Sequence, residues 1–296
     1  MDIKGIIDEY TNGFQKKENI DALIHFGGSY VNDVWYKSDI DFIAIDNNQD
    51  KPVEIFSRDK RDIMIHINLM SADYLLESLQ SYDNPKFCSL IAESNVLFDK
   101  SGEVTKLLAQ TMSNHGEYLK LNIFKEFCQL LKKYYRSKKF FEKDKPLDSY
   151  RQLLDSMVHW AKIVIYEQGQ YPKQDVWSQV YDMNLGVFKL YEELLFNREP
   201  LTKRIELMQL VYLNNVISRI RAYCSPLLEF FKGQVCPLSY RDIKNHSRFN
   251  RLNVDFHIVL DELVRQGVLF EDISLLKGLS NDSVQVKEIR YGIKNR

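Results

Sequence analysis

The stretch "HFGGSYVNDVWYKSDIDF", residues 25–42, decides the fold prediction for the first third of the chain. A short apolar run ends in glycines, and nine residues separate Ser29 from Asp39. In a strand, residues i and i+2 point to the same face, so Asp39 and Asp41 are predicted to project together. Two carboxylates at such a short distance repel each other unless a cation lies between them. The pattern predicts a strand, a glycine turn and a second strand with an acidic pair.

The glycine turn and the acidic pair fit two parts of the same ligand. A glycine-rich turn after a strand presents bare backbone N–H groups to an anion such as phosphate. Mg²⁺ prefers carboxylates together with phosphate oxygens. A nucleoside triphosphate carrying Mg²⁺ satisfies both requirements. The predicted nucleotide contacts are Gly27, Gly28, Ser29, Lys37 and Ser38.

"FGGS", nine residues and then "DID" resembles the signature of the nucleotidyltransferase superfamily, which has the DNA polymerase β-type fold. The resemblance implies two Mg²⁺ ions, an NTP co-substrate with ATP as the first expectation, and a third carboxylate on a neighbouring strand. By position that strand is "RDIMIHINLM", residues 61–70, because it alternates with period two. Asp62 is the predicted third acid and, with Asp39 and Asp41, both a catalytic residue and a metal ligand. Glu54 is a weaker alternative.

His66 shares the predicted strand face of Asp62 and has two interpretations. It is a candidate base or substrate contact, or it is an ordinary strand histidine with its hydrogen bonds satisfied. The sequence departs from many enzymes of the superfamily at Tyr30 and Asn32, where other residues are frequent. Lys37 is the residue that could replace the missing positive charge.

The resemblance implies a reaction in which an acceptor hydroxyl attacks the α-phosphorus of the NTP in line. Metal ions would stabilise the developing charge, and Asp62 would take the hydroxyl proton. The acceptor is expected to be a small molecule, a protein or an RNA end. The alternative is a catalytically weak or inactive nucleotide-sensing protein that regulates through its C-terminal domain.

Periodicity along the chain predicts an α+β protein of three domains. Residues 1–112 mix strand and helix patterns and are predicted to form the nucleotidyltransferase domain. Residues 113–233 keep helical spacing with little Gly or Pro, which is typical of a helical bundle, here expected to bind substrate. Residues 234–296 show two short helices and then two strands, the order of a winged helix.

The segment "DSYRQLLDSMVHWAKIVIYEQGQYPKQDVWSQV", residues 148–180, resembles the YgxA-like bacterial nucleotidyltransferase-like proteins. That family's order is a nucleotidyltransferase domain, a helical substrate-binding domain and a C-terminal helix-turn-helix domain. Tyr150 and His159 are candidate acceptor contacts on this helix.

The polar stripe around His159 has a plainer interpretation as well. Arg151, Asp155, His159 and Lys162 recur at helical spacing, and an ion-paired face exposed to solvent would give the same pattern.

DNA is a candidate partner of the C-terminal domain. The second helix of a winged helix would enter the groove, and here it is "NVDFHIVLDELVRQG", residues 253–267. It carries one Arg and one His against two Asp and one Glu, a poor composition for contact with phosphates. Winged folds also serve as packing or protein-contact modules.

Composition gives no basic or membrane signal. The net charge is −1, and no run of about 18 apolar residues is present. The four cysteines show no metal-binding spacing, which is typical of reduced thiols in a cytoplasmic protein. A cytoplasmic location without a membrane partner is therefore expected.

Overall fold

The computed structural model describes residues 3–26, 39–80, 94–113, 115–173, 175–275 and 286–294. The chain divides into two compact units, Met1–Gly116 and Glu117–Arg296. The predicted phosphate-binding turn lies outside the described residues, and so do its five predicted contacts: Gly27, Gly28, Ser29, Lys37 and Ser38.

The first unit is a mixed five-stranded sheet with helices. Its order along the chain is α1 (Ile3–Gln15), β1 (Ala22–Phe26), β2 (Ile40–Ile45), β3 (Val53–Arg58), β4 (Met64–Met70), α2 (Ala72–Gln80), β5 (Asn95–Asp99) and α3 (Glu103–Ser113). The strands lie in the order β3-β4-β2-β1-β5. β2 and β4 are parallel, while the other neighbours are antiparallel.

One face of this sheet forms the core of the first unit. Phe42 of β2 and Ile65 of β4 are fully buried there, and Tyr10 of α1 stacks on the Phe42 ring with 5.6 Å between centroids. α1 can cover the sheet because its apolar residues recur at helical spacing. The period of two then places Asp41 and His66 on the opposite face.

The second unit is mainly helical up to residue 232. It contains α4 (His115–Glu142), α5 (Pro146–Glu167), α6 (Val176–Met183), α7 (Leu185–Phe196), α8 (Leu201–Asn215), α9 (Ile220–Tyr223) and α10 (Ser225–Lys232). Pro146 lies in the first turn of α5, where its missing N–H costs nothing. Tyr134 of α4 stacks on Tyr212 of α8 with 5.4 Å between ring centroids, and both residues are fully buried.

A small antiparallel sheet completes the second unit. The elements are β6 (Leu238–Ser239), α11 (Tyr240–Asn245), α12 (His257–Arg265), β7 (Leu269–Leu275) and β8 (Lys287–Ile293), with strand order β6-β8-β7. Ser239 and Asp242 form a reciprocal capping box at the start of α11. Gly267 follows α12 with φ of +68°, a backbone conformation that glycine adopts without strain.

Aromatic packing joins the C-terminal elements to α4. Phe124 of α4 lies 6.0 Å from Phe249 and 6.0 Å from Phe256, measured between ring centroids, and all three residues are buried. Nearby, Arg248 forms an ion pair with Glu117 at the start of α4. The C-terminal sheet and α4 are therefore parts of one packed unit.

The α+β prediction agrees with this architecture: a mixed sheet, a helical region and a small antiparallel sheet. The predicted domain boundaries at 112/113 and 233/234 stay predictions. Among the described helices, none is long and apolar enough to cross a membrane.

Candidate functional site

The candidate site is centred on Asp41, which the parallel pairing of two strands brings next to His66. β2 and β4 run parallel with Asp41 opposite His66. His66 Nδ1 lies 2.9 Å from Asp41 Oδ1, and both side chains are about three-quarters or more buried. An ionised carboxylate can only accept a hydrogen bond, so Nδ1–H is the donor to Asp41. In the neutral imidazole, Nε2 is then the nitrogen with the lone pair that can accept a proton.

The other side of the imidazole has two notable features. Phe56 of β3 stacks on the His66 ring with 4.3 Å between centroids and 1° between planes, although Phe56 is 61% exposed. His66 Nε2 is buried and finds no hydrogen-bond partner among the described residues. A buried acceptor of this kind costs free energy unless a ligand or a water supplies the missing donor. The sequence pattern had marked His66 but gave no indication of Phe56.

The surroundings of Asp41 shift its acidity in opposing directions. Burial raises the pKa of the Asp41 carboxyl above its ordinary value, and the nearby charge of Asp39 raises it further. The hydrogen bond and charge of His66 partly offset both effects. A cation between Asp39 and Asp41 would oppose the effects of burial and of Asp39 on the Asp41 pKa, since it favours the ionised carboxylate.

Asp39 immediately precedes β2 and is exposed. It stands two residues before Asp41, as the acidic-pair prediction requires. The described residues contain no group of three or more His, Cys, Asp or Glu side chains that could hold a metal ion. Two carboxylates with phosphate oxygens and waters still suit one Mg²⁺ ion, because Mg²⁺ is commonly held that way.

Asp62 does not lie on the strand, so its predicted placement was wrong. β4 begins at Met64, and Asp62 lies in the β3–β4 turn with φ of +63°. The turn forms because Asp59 Oδ1 accepts hydrogen bonds from the backbone N–H groups of Arg61 and Ile63, at 2.8 and 3.0 Å.

The position of Asp62 separates it from the Asp41–His66 pair. Its side chain is 83% exposed and lies 3.0 Å from Arg58 Nη1. It lies two residues before the first residue of β4, Met64, and four residues before His66. The residue that stands beside Asp41 on the neighbouring strand is therefore His66 and not a carboxylate. Glu54, the weaker alternative, lies opposite Asn68 on the edge strand β3.

His159 in the second unit contacts a residue that the sequence interpretation missed. Its Nδ1 lies 2.5 Å from Glu126 Oε2 on α4, and Lys162 Nζ lies 3.5 Å from Glu126 Oε1. The Glu126 side chain is only 6% exposed. Burial by itself raises the pKa of Glu126, but the His159 hydrogen bond and the charge of Lys162 outweigh it and hold the pKa below its ordinary value.

The polar stripe on α5 is ion-paired, as the plainer interpretation requires, but Asp155, His159 and Lys162 are half-buried and only Arg151 of the four is exposed. The ion pairs run across to α4 and not along one helix: Asp155 Oδ2 accepts from Lys133 Nζ at 2.8 Å, one step further along the same interface. Tyr150, the other candidate acceptor contact, donates from its hydroxyl to the Leu194 carbonyl at 3.2 Å. Its ring also carries the guanidinium of Arg204 at 5.6 Å.

Comparison with known proteins adds two sequence relationships. Residues 120–219 match the model of the YgxA-like substrate binding domain, which covers α4 through α8. The chain is also 28% identical over 233 residues to the "Uncharacterized protein YgxA" of Bacillus subtilis (strain 168), an alignment that covers 78% of each chain.

A solved structure shares the fold over nearly the full length. It is the crystal structure of a nucleotidyltransferase-like protein from Exiguobacterium sibiricum 255-15, with a TM-score of 0.70, 20% identity, and coverage of 98% of this chain and 97% of the other. At that identity the likeness shows the fold alone. Residues 120–219 are thus similar to the YgxA-like substrate binding domain, and the chain has a nucleotidyltransferase-like fold.

Proposed function

We propose that this protein is a Mg²⁺-dependent nucleotidyltransferase, which transfers a nucleoside monophosphate from an NTP to an acceptor hydroxyl. The observation that carries the proposal is the position of Asp41. It lies on the strand that follows the glycine motif, on the sheet face opposite the core, with His66 bound 2.9 Å away. Asp39, two residues earlier, supplies the second carboxylate. ATP is the first nucleotide to test.

Asp39 and Asp41 are the residues proposed to hold the metal. Asp41 Oδ1 is occupied by His66, which leaves Oδ2 for a cation. A bound Mg²⁺ would stabilise negative charge on the α-phosphate and on the leaving pyrophosphate. The Asp41–His66 hydrogen bond holds the carboxylate in one orientation. An oriented carboxylate binds a metal ion with less loss of side-chain freedom.

His66 is the residue proposed to take the proton. The acceptor oxygen forms its bond to the α-phosphorus while the bond to the pyrophosphate oxygen breaks, and the acceptor proton moves to His66 Nε2. Nδ1–H keeps its hydrogen bond to Asp41 throughout, so the imidazolium that forms lies against a carboxylate. The role first assigned to Asp62 passes to His66, since the Asp62 side chain is exposed in a turn and paired with Arg58.

The second candidate function is a nucleotide-binding protein with little or no transfer activity. One observation favours it: the neighbouring strand presents His66 at the position where the superfamily resemblance implies a third carboxylate. One metal ion instead of two would then bind, and transfer would be slow. The acceptor class (a small molecule, a protein or an RNA end) belongs to the first candidate only.

DNA binding by the C-terminal region receives limited support. The strand order β6-β8-β7, with α11 and α12 between β6 and β7, supports the winged-helix expectation. The helix that would enter the groove is engaged elsewhere, however. Glu262 of α12 is buried, and its carboxylate accepts a hydrogen bond from the Tyr135 hydroxyl of α4 at 2.5 Å. We therefore favour a packing role for α12.

The test is label transfer from each α-labelled NTP with Mg²⁺ and a cell extract, together with the melting temperature in Mg²⁺-NTP. The proposal expects transfer by the wild type and none by the Asp39→Ala/Asp41→Ala variant. It also expects Mg²⁺-NTP to raise the melting temperature, because a ligand that binds only the folded state stabilises it. A nucleotide-induced shift without transfer supports the second candidate, and the absence of both results refutes the two.

A further inference from the structure

We infer that two copies of this chain pair through the edge strand β3, with Phe56 on the two-fold axis. β3 is an outer strand of the five-stranded sheet. It carries three exposed apolar side chains: Val53 at 40%, Ile55 at 41% and Phe56 at 61%. An exposed apolar edge strand readily pairs with another strand through its open backbone groups. The inference does not depend on the proposed activity.

The hydrogen-bond pattern of β3 determines which backbone groups remain open. Asp59 N–H donates to the Ile63 carbonyl at 3.0 Å in the turn that joins β3 to β4. Antiparallel pairing alternates between residues that bond to the neighbour and residues that do not. Ile55 and Ser57 are therefore directed at β4, and the backbone groups of Glu54, Phe56 and Arg58 are directed at the open edge.

Only some registers let two such edges pair. An antiparallel dimer forms its hydrogen bonds between residues whose backbone groups are directed at the open edge. The register that places Phe56 opposite Phe56 of the second copy uses all three of these residues, Glu54, Phe56 and Arg58. Glu54 of each copy then lies opposite Arg58 of the other. The same register that maximises the backbone hydrogen bonds also creates two cross-strand ion pairs.

Charge complementarity is the reason to commit to a second copy as the occupant. An isologous interface needs a surface that complements itself about a two-fold axis. The strand "VEIFSR", residues 53–58, meets that need, since its acidic and basic residues are equidistant from Phe56. The Arg58 partner within the chain, Asp62, is 83% exposed, so that contact is weak and can be exchanged.

The dimer would bring the two candidate sites into one sheet. Phe56 stacks on His66 within each chain at 4.3 Å. Two Phe56 residues facing each other about the axis would place an aromatic pair between the two His66 rings. The five-stranded sheets would form one continuous sheet of both copies.

The test measures the mass of the full-length protein in solution by sedimentation equilibrium. The wild type is expected to show twice the chain mass at high concentration. Glu54→Arg sets Arg against Arg58, and Arg58→Glu sets Glu against Glu54. Each reversal is expected to weaken the dimer roughly tenfold or more, because two favourable cross-strand pairs become two like-charge pairs.

The double variant Glu54→Arg/Arg58→Glu restores opposite charges and is expected to restore the dimer. Glu199→Arg is the matched control, because it reverses one end of an exposed ion pair (Lys203–Glu199, 2.9 Å) in the other unit. Circular dichroism of each variant checks folding. A monomeric wild type at every soluble concentration overturns the inference. So does a dimer that survives both single reversals, or a double variant that stays as weak as the singles.

Discussion

Replacing Glu126 by Gln tests whether the buried contact with His159 and Lys162 stabilises the helical unit. Gln keeps the size of the side chain but removes the charge that Lys162 and His159 contact. Removing one partner of a fully buried ion pair costs about 3–5 kcal/mol. His159 and Lys162 keep 19% and 29% of their side chains exposed, so water recovers part of that loss. We expect the free energy of unfolding to fall by about 2 kcal/mol at pH 7.

The pH dependence of this difference provides the sharper check. The pKa of Glu126 in the folded protein lies below its ordinary value of 4.5. A carboxyl with a lowered folded pKa contributes stability above its unfolded pKa, and the contribution is lost as pH falls through the folded pKa. The difference between wild type and Glu126→Gln should therefore be complete at pH 7 and shrink below pH 4.5.

Urea unfolding, followed by the fluorescence of Trp160, measures the difference. Trp160 is one residue from His159 and is buried against Tyr212. The chain has two other tryptophans, Trp35 and Trp177, so wild type and variants are compared in a background that carries Phe at both, where the emission reports the packing around Trp160. Glu192→Gln is the control, because Glu192 pairs with Lys189 on an exposed helix face and should cost less than about 0.5 kcal/mol. A Glu126→Gln effect no larger than the control, or one that stays constant from pH 7 to pH 3.5 or lower, would refute the reasoning.

The two remaining predictions concern a turn and a helix contact. Asp62→Asn should leave both nucleotide-induced stabilisation and label transfer unchanged, because the side chain is 83% exposed and pairs with Arg58; loss of transfer in that variant would return Asp62 to the catalytic set. Tyr135→Phe should lower the free energy of unfolding by about 1–3 kcal/mol, because it removes a hydrogen-bond donor from the buried carboxylate of Glu262. Chemical denaturation of this variant beside Tyr181→Phe, whose ring is 53% exposed, measures the effect, and equal costs would contradict the buried contact.

Local patterns predicted β2 and β4 of the first unit because each pattern is complete within a few residues. Alternation in "DIDFIAID" and "RDIMIHINLM" predicted β2 and β4, together with the face that each strand buries. The register between them depends on long-range pairing, which no local pattern contains. For that reason the sequence marked His66 as a candidate without showing that it lies directly opposite Asp41.

The misplacement of Asp62 had a signal in the sequence. "SRDKRD", residues 57–62, is a polar cluster with an Asp that can bond to backbone N–H groups two and four residues later, which is typical of a turn. The prediction extended the alternation of β4 back into this cluster and so assigned Asp62 to the strand.

Glu126 escaped the sequence interpretation for a different reason. Its partners, His159 and Lys162, lie more than 30 residues away on another helix. Helical spacing shows which residues share a stripe but not which helix the stripe meets. The signal available was an acidic residue next to the apolar residues of α4, in the stretch "FKEFCQLL", residues 124–131.

The two-sided packing of α4 has a consequence for how the second unit unfolds and changes in evolution. Tyr134 and Glu126 pack toward α8 and α5, while Phe124 and Tyr135 contact the C-terminal elements. A destabilising change in either the helical region or the C-terminal elements therefore affects the packing of α4. The helical region and the C-terminal sheet should therefore unfold in one cooperative step. The residues that face α4 from these two regions should also be substituted together in evolution.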